Sequence, residues 1–308
     1  MDFFDLHCDT MTTAMHQSVD VDCDYLDISF PRNEEIKHHC QCFAVYCPDG
    51  ISGDDAFSYY NIAQRFFKNQ LAEFLQFFEQ AKTIGDVDRI TGTGKTAAIL
   101  TVEGGRVLGG KIEHLEDLYN DGVRMMTLTW NGENEIGKGS TDQSFSLKPF
   151  GIDVIKEMER IRMVIDVSHL SDAGLDDVLK NVDCAVAASH SNLREICGHR
   201  RNLTDEYFKE IVHREGIVGI NFYKAFLNND EEKASLSDIL KHIERMLALG
   251  GENTVCMGSD YDGCDVVDGI RKFKDIPNLY GLVEKEFGKD IAGKIFWKNA
   301  YDFFAKMI

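Results

Sequence analysis

The stretch Ile165-Asp166-Val167-Ser168-His169-Leu170-Ser171 decides how the chain is read. Its start is apolar and β-branched, a short strand that closes on a polar Ser-His pair, and Ser171 then stands where a helix N-cap belongs. A strand that ends in a histidine and passes directly into a helix is a βα unit. The same unit recurs on both sides. Strands are expected near 3–7, 41–46, 97–102, 124–129, 162–167, 184–188, 216–221 and 253–258, with helical patterns between them. Such alternation predicts a parallel sheet, and eight strands predict closure into an α/β (β/α)8 TIM barrel, one domain over residues 1–308.

Between the second and third strands Phe57, Tyr60, Ala63, Phe67, Leu71, Phe74 and Phe78 recur at steps of three and four. That spacing predicts one long helix with a single apolar face, a core stripe rather than a binding feature. Thr204 and Ser237 are the expected N-caps of later helices, beside Ser171.

Composition narrows the function. The chain is 44% hydrophobic and 28% charged, ordinary for a packed protein, with no low-complexity tract and only four prolines to mark a boundary. A formal net charge of −19 repels nucleic acid and anionic membranes alike, so neither is an expected partner. No run approaches the roughly 18 apolar residues of a membrane span, and Met1-Asp2-Phe3-Phe4-Asp5 lacks the basic start of a signal peptide. Nine cysteines without a CxxC pair argue against a disulfide framework and for reduced thiols in the cytoplasm.

The polar residues collect at strand ends. His7 and Asp9 follow the first strand, Glu103 ends the third in Val102-Glu103-Gly104-Gly105, and Trp130-Asn131 follow the fourth. His169 follows the fifth, His190 the sixth, Tyr223 the seventh, and Asp260 and Asp262 the eighth, in Gly258-Ser259-Asp260-Tyr261-Asp262-Gly263. A barrel brings all of them to one rim, where barrel active sites are built. Each residue alone has an ordinary structural use in a loop or turn; five candidate ligands at successive strand ends point to a metal site. Imidazole and carboxylate without thiolate suit Zn²⁺, with Mn²⁺, Co²⁺ or Fe²⁺ as other candidates. Three histidines and two carboxylates exceed one four-coordinate ion and fit two ions that share a carboxylate.

Ordered stretches of the chain resemble the membrane (renal) dipeptidase family of zinc metallopeptidases, in its soluble bacterial branch, among the amidohydrolase-type barrels. They include Asp5 to Asp9, Cys42-Phe43-Ala44-Val45-Tyr46, Val102 to Gly105, Arg124 to Thr129 and Lys148-Pro149-Phe150-Gly151. Further along come Ile165 to His169, Ser189-His190-Ser191, Arg200-Arg201-Asn202, Asn221-Phe222-Tyr223 and Gly258 to Gly263. The resemblance implies that His7 and Asp9 bind one zinc, His169 and His190 a second, and Glu103 bridges both. It implies Asp260 as the acid-base carboxylate, Arg201 as the grip on a substrate carboxylate, and Tyr223 as a pocket wall. The implied reaction is hydrolysis of a small dipeptide through a hydroxide bridging two zinc ions. Strand periodicity leaves Asp262 open beside Asp260; the resemblance favours Asp260.

One position departs. The family's vertebrate members carry a substrate-contacting histidine after the fourth strand, where this chain has Trp130, which donates one hydrogen bond and does not titrate. Trp130 is therefore expected to shape substrate selection, and the polar loop Asn131 to Ser146 is expected as a lid. The alternatives are another amidohydrolase-type hydrolase, although those usually begin HxH rather than HxD, or a barrel that binds metal without turnover. A homodimer is compatible with the sequence.

Overall fold

The structure, a computed structural model, describes residues 1–28 and 35–308. Among these described residues nine strands form: β1 Phe3–Cys8, β2 His39–Tyr46, β3 Phe78–Gln80, β4 Thr96–Glu103, β5 Val123–Thr127, β6 Val164–Asp166, β7 Ala187–Ala188, β8 Ile217–Ile220 and β9 Val255–Met257. All pairings among them are parallel. The order β2-β1-β9-β8-β7-β6-β5-β4, closed by a β2–β4 pairing, makes an eight-stranded barrel, so the expected (β/α)8 TIM barrel forms. Each of the eight expected strands has a counterpart, the sixth shortened to two residues.

The ninth strand is β3, which lies on β4 beside Thr96–Ala98. Its first residue, Phe78, is the last member of the stripe expected to be helical. The helix runs only from Gly53 to Glu73, with Ala56, Tyr60, Ala63, Phe67 and Leu71 buried. Phe74 caps it, and the chain turns there, the Phe77 N–H donating to the Phe74 carbonyl at 2.8 Å. Phe78 is still buried because β3 pairs with β4 and sets its ring near Phe43, so spacing alone does not reveal the change of backbone. Ser171 and Thr204 cap their helices as expected, their side chains accepting from the Gly174 and Tyr207 N–H groups. The third cap is Ser235 rather than Ser237, because Ser235 forms a reciprocal capping box with Asp238.

One apolar cluster draws on all eight barrel strands: Phe4 and Leu6, Cys40 and Cys42, Ala97 and Ile99, Met125, Val164, Ala187, Ile217 and Cys256. Residues two apart on a strand share a face, so this set is the barrel's filling. Ala300, Phe303 and Phe304 of the C-terminal helix, Asn299–Met307, join it, with Phe304 stacked on Phe4 at 5.3 Å between ring centroids. The candidate site residues lie beyond this filling, toward the C-terminal ends of the strands.

Candidate functional site

Of the expected ligands, His7 lies within β1, Glu103 ends β4, and Asp9, His169 and His190 stand just beyond β1, β6 and β7. They converge. His7 Nε2 is 3.5 Å from Asp9 Oδ2, 3.8 Å from Glu103 Oε2 and 3.8 Å from Asp260 Oδ1. His169 Nε2 lies 2.8 Å and His190 Nε2 3.6 Å from the other Glu103 oxygen, Oε1. The His7 and His190 rings are 4.0 Å apart between centroids, and those of His169 and His190 5.0 Å. All five residues and Asp260 are buried.

Local backbone sets these directions. His169 adopts a left-handed conformation at φ 69°, and Asp260 does so at φ 62°. Such conformations are costly for non-glycine residues and gather at functional sites. Gly263 meets a different demand: a Cβ there would sit 2.2 Å from Asp9 Oδ2 and 2.7 Å from Asp260 Oδ1. A side chain there would displace one or both carboxylates, and glycine lets the loop lie against them.

The electrostatics ask for a cation. Burial draws the His7 imidazole down, but Glu103, Asp9 and Asp260 outweigh it and push the group up to about 10. Burial, with Asp9 and Asp260 beside it, raises the Glu103 carboxyl well above the usual range, against the pull of His7. Burial and neighbouring cationic groups hold His169 and His190 well below theirs. His7 Nε2, His190 Nε2 and Asp9 Oδ1 are buried without a hydrogen-bond partner. Buried polar atoms are seldom left so. Borderline and hard donors, unsatisfied and facing a common centre, fit divalent metal; His7, Glu103 and His190, and separately His7, Asp9 and Asp260, could each hold an ion.

The imidazoles are also held from behind. His169 Nδ1 is hydrogen-bonded to Asn131 Oδ1 at 3.2 Å, and His190 Nδ1 to Ser189 Oγ at 2.7 Å. A bond at Nδ1 leaves Nε2 free to face an ion. The loop expected as a lid is thereby tied down: besides Asn131, the Ser140 N–H donates to the His169 carbonyl at 2.7 Å and Gly139 bridges to Leu170. Sequence reasoning missed Asn131 in this role, because the left-handed turn that brings His169 to it leaves no mark in the sequence.

Beside the cluster lies a cavity of about 420 Å³, lined among others by Tyr46, Trp130, Tyr223, Phe226, Asp260 and Cys264. Trp130 and Tyr223 both lie on its wall, and Tyr46 meets Trp130 edge-on at 4.9 Å. Asp260 Oδ2 accepts from Asn221 Nδ2 at 3.0 Å, and burial pushes its carboxyl up to about 6 with Asp9 adding to the rise. Asp262 also borders the cavity, but its carboxylate is already engaged, accepting from Thr10 Oγ1 at 2.5 Å and the Asp27 N–H at 2.7 Å. Arg201 is buried, its guanidinium carbon 5.3 Å from the Phe226 ring centroid and its Nε without a partner. Phe226 was not singled out from the sequence, where one aromatic in Phe222-Tyr223-Lys224-Ala225-Phe226 looks like another.

A parallel barrel with buried histidines and carboxylates gathered at its C-terminal mouth defines the class of metal-dependent hydrolases. Residues 1–306 match the membrane dipeptidase family, peptidase family M19, and the chain belongs to that family of metallo-dipeptidases. A curated relative, an uncharacterised protein encoded in the pqqA 5′ region of Klebsiella pneumoniae, is 31% identical over 225 residues, 70% of this chain and 83% of the relative. A metallopeptidase from Rhodobacter sphaeroides, solved with a phosphinate mimic of the dipeptide L-Ala-D-Ala, superposes with a TM-score of 0.92 at 22% identity. That match covers 100% of this chain and 99% of the other. The probable dipeptidase PvdM from Pseudomonas aeruginosa superposes at 0.80 with 18% identity, over 96% of this chain and 88% of the other. The two solved structures share the fold. Among the described residues no helix is long and apolar enough to cross a membrane.

Proposed function

We propose that the chain hydrolyses small dipeptides at a centre of two divalent ions, with zinc the metal that the donor set suits. His7 and Asp9 would hold one ion, His169 and His190 the other, and Glu103 would be shared. The observation that carries this reading is the division of Glu103, whose Oε2 faces His7 while Oε1 faces His169 and His190. When bound, such ions would polarise a carbonyl and make water acidic enough to act as a nucleophile near neutral pH.

The remaining work falls to the chain's own side chains. Asp260 would take up a proton at Oδ1 and return it to the departing amine, while Asn221 fixes Oδ2. A carboxyl raised to about 6 suits that exchange near neutral pH. Asp262, committed to Thr10 and Asp27, has no such freedom. Arg201 would hold the substrate's terminal carboxylate; its unpartnered Nε and rigid fork suit a planar anion. Trp130 and Tyr223 would wall the space for side chains. A cavity of about 420 Å³ suits a dipeptide, and the dipeptide mimic on the Rhodobacter relative supports that class.

Turnover of an L,L- and L,D-dipeptide panel by zinc-loaded and chelator-stripped protein tests the proposal. Cleavage of dipeptides with small or apolar side chains, abolished by stripping and restored by zinc, is expected. Cleavage of esters or acylated amino acids with dipeptides untouched would replace it with another amidohydrolase activity, and no turnover at all would leave a binding barrel.

A further inference from the structure

Two buried strand carboxylates stand behind the site and outside the chemistry just described, Asp5 in β1 and Asp166 at the end of β6. Each accepts from backbone N–H groups on two different strand ends. Asp5 Oδ1 accepts the Ser259 N–H at 2.8 Å and, more distantly, the His7 N–H at 3.4 Å. Asp5 Oδ2 accepts Ser259 Oγ at 2.5 Å and Gln41 Nε2 at 3.0 Å. Asp166 Oδ1 accepts the N–H groups of Ser168 and Ser189, both at 3.0 Å. In both cases one donor lies two residues along the same strand and the other on a neighbouring strand.

The arrangement has a physical cause. β6, β7 and β9 are only three, two and three residues long, so their ladders end before the functional side chains begin. Amides released from the ladder inside the protein need another acceptor. The carboxylates supply one, and they do so beside different halves of the site. Asp5 joins the end that carries His7 and Asp9 to the end that carries Asp260. Asp166 joins the end that carries His169 to the end that carries His190. The serines continue each network, Ser259 Oγ accepting the Tyr261 N–H at 3.2 Å and Ser168 Oγ accepting the His190 N–H at 3.1 Å.

We infer that Asp5 and Asp166 are positioning residues, each setting the geometry of one half of the metal centre and not of the other. The inference rests on the two-ion reading, so the experiment separates the two. Single-site backgrounds H190A and H7A each leave one ion's ligand set intact, and zinc affinity of the metal-free proteins is measured by competition with a chromophoric chelator. In the H190A background D5A should weaken zinc binding about 10- to 100-fold, the range for outer-shell partners, and D166A less than about threefold. In the H7A background the pattern should invert. D166N retains Oδ1 as an acceptor and should restore affinity to within about threefold of its parent. If the alanine variants do not fold, S259A and S168A remove only a hydroxyl and should show the same selectivity, at about three- to tenfold. Equal weakening in both backgrounds, or none in either, overturns the inference while leaving the two-ion centre standing. Failure of H7A and H190A each to remove one binding event overturns the ligand assignment and the inference with it.

Discussion

Strand β4 shows two regions of the molecule in one stretch of chain. At its start Ala97 and Ile99 join the apolar filling drawn from all eight strands, with Phe303 and Phe304 packed on the same cluster. Four residues beyond Ile99, Glu103 lies among three histidines and two further carboxylates, and His7 Nε2, His190 Nε2 and Asp9 Oδ1 are left there without a partner. The closed end has nothing left to bind. The open end keeps buried donors without partners, and an interior tolerates that arrangement only where something else completes it. Stability and function are thus placed at opposite ends of the same strands, and substitutions should separate them.

The largest expected effect is at the open end. Asp260→Asn should lower kcat by about 10²- to 10⁴-fold with metal content unchanged, since only proton transfer is removed. The same loss from Asp262→Asn, with Asp260→Asn active, would reverse the two roles. At the closed end, Phe304→Ala should cost about 3–5 kcal/mol of stability, as large core truncations do, yet leave metal stoichiometry and kcat per folded molecule within about twofold. Denaturant unfolding and kinetics on one preparation check both; a kcat that falls in step with stability would break the division between the ends.

Smaller effects sharpen the picture of the mouth. Arg201→Ala should reduce kcat/KM for free dipeptides by about 10- to 100-fold, the worth of one or two charge-assisted hydrogen bonds, and spare C-terminally amidated analogues. Equal losses on both would make Arg201 structural. Trp130→His and Trp130→Ala should reorder a dipeptide panel by only about three- to tenfold, the scale of small changes in an apolar pocket. An unchanged ranking in both variants would remove Trp130 from substrate selection.

The sequence made the open end more legible than the loops that support it. Strand-terminal residues such as His7, Glu103 and His190 are fixed by the barrel once the strands are found, so their convergence follows from topology. Phe74 and Phe78 misled because a turn and a short strand preserved the burial period of the helix before them. Ser237 misled because the deciding partner of a cap is the residue three positions on, and Asp238 serves Ser235. The hold of Asn131 on His169 is not legible in the sequence, because it depends on the left-handed turn at His169, a feature of packing rather than composition. The bonds of Asp5 and Asp166 are not legible in the sequence either, because only the short spans of β6, β7 and β9 show which amides have lost their ladder.

The most direct test is the metal itself. Zinc-loaded protein, freed of loose ions by gel filtration and measured by elemental analysis against amino-acid quantitation, should carry about two ions per chain, as two-metal hydrolytic sites do. His7→Ala and His190→Ala should each reduce that to about one. A single ion per chain with full dipeptidase activity, or two ions retained in both variants, would contradict the shared role of Glu103.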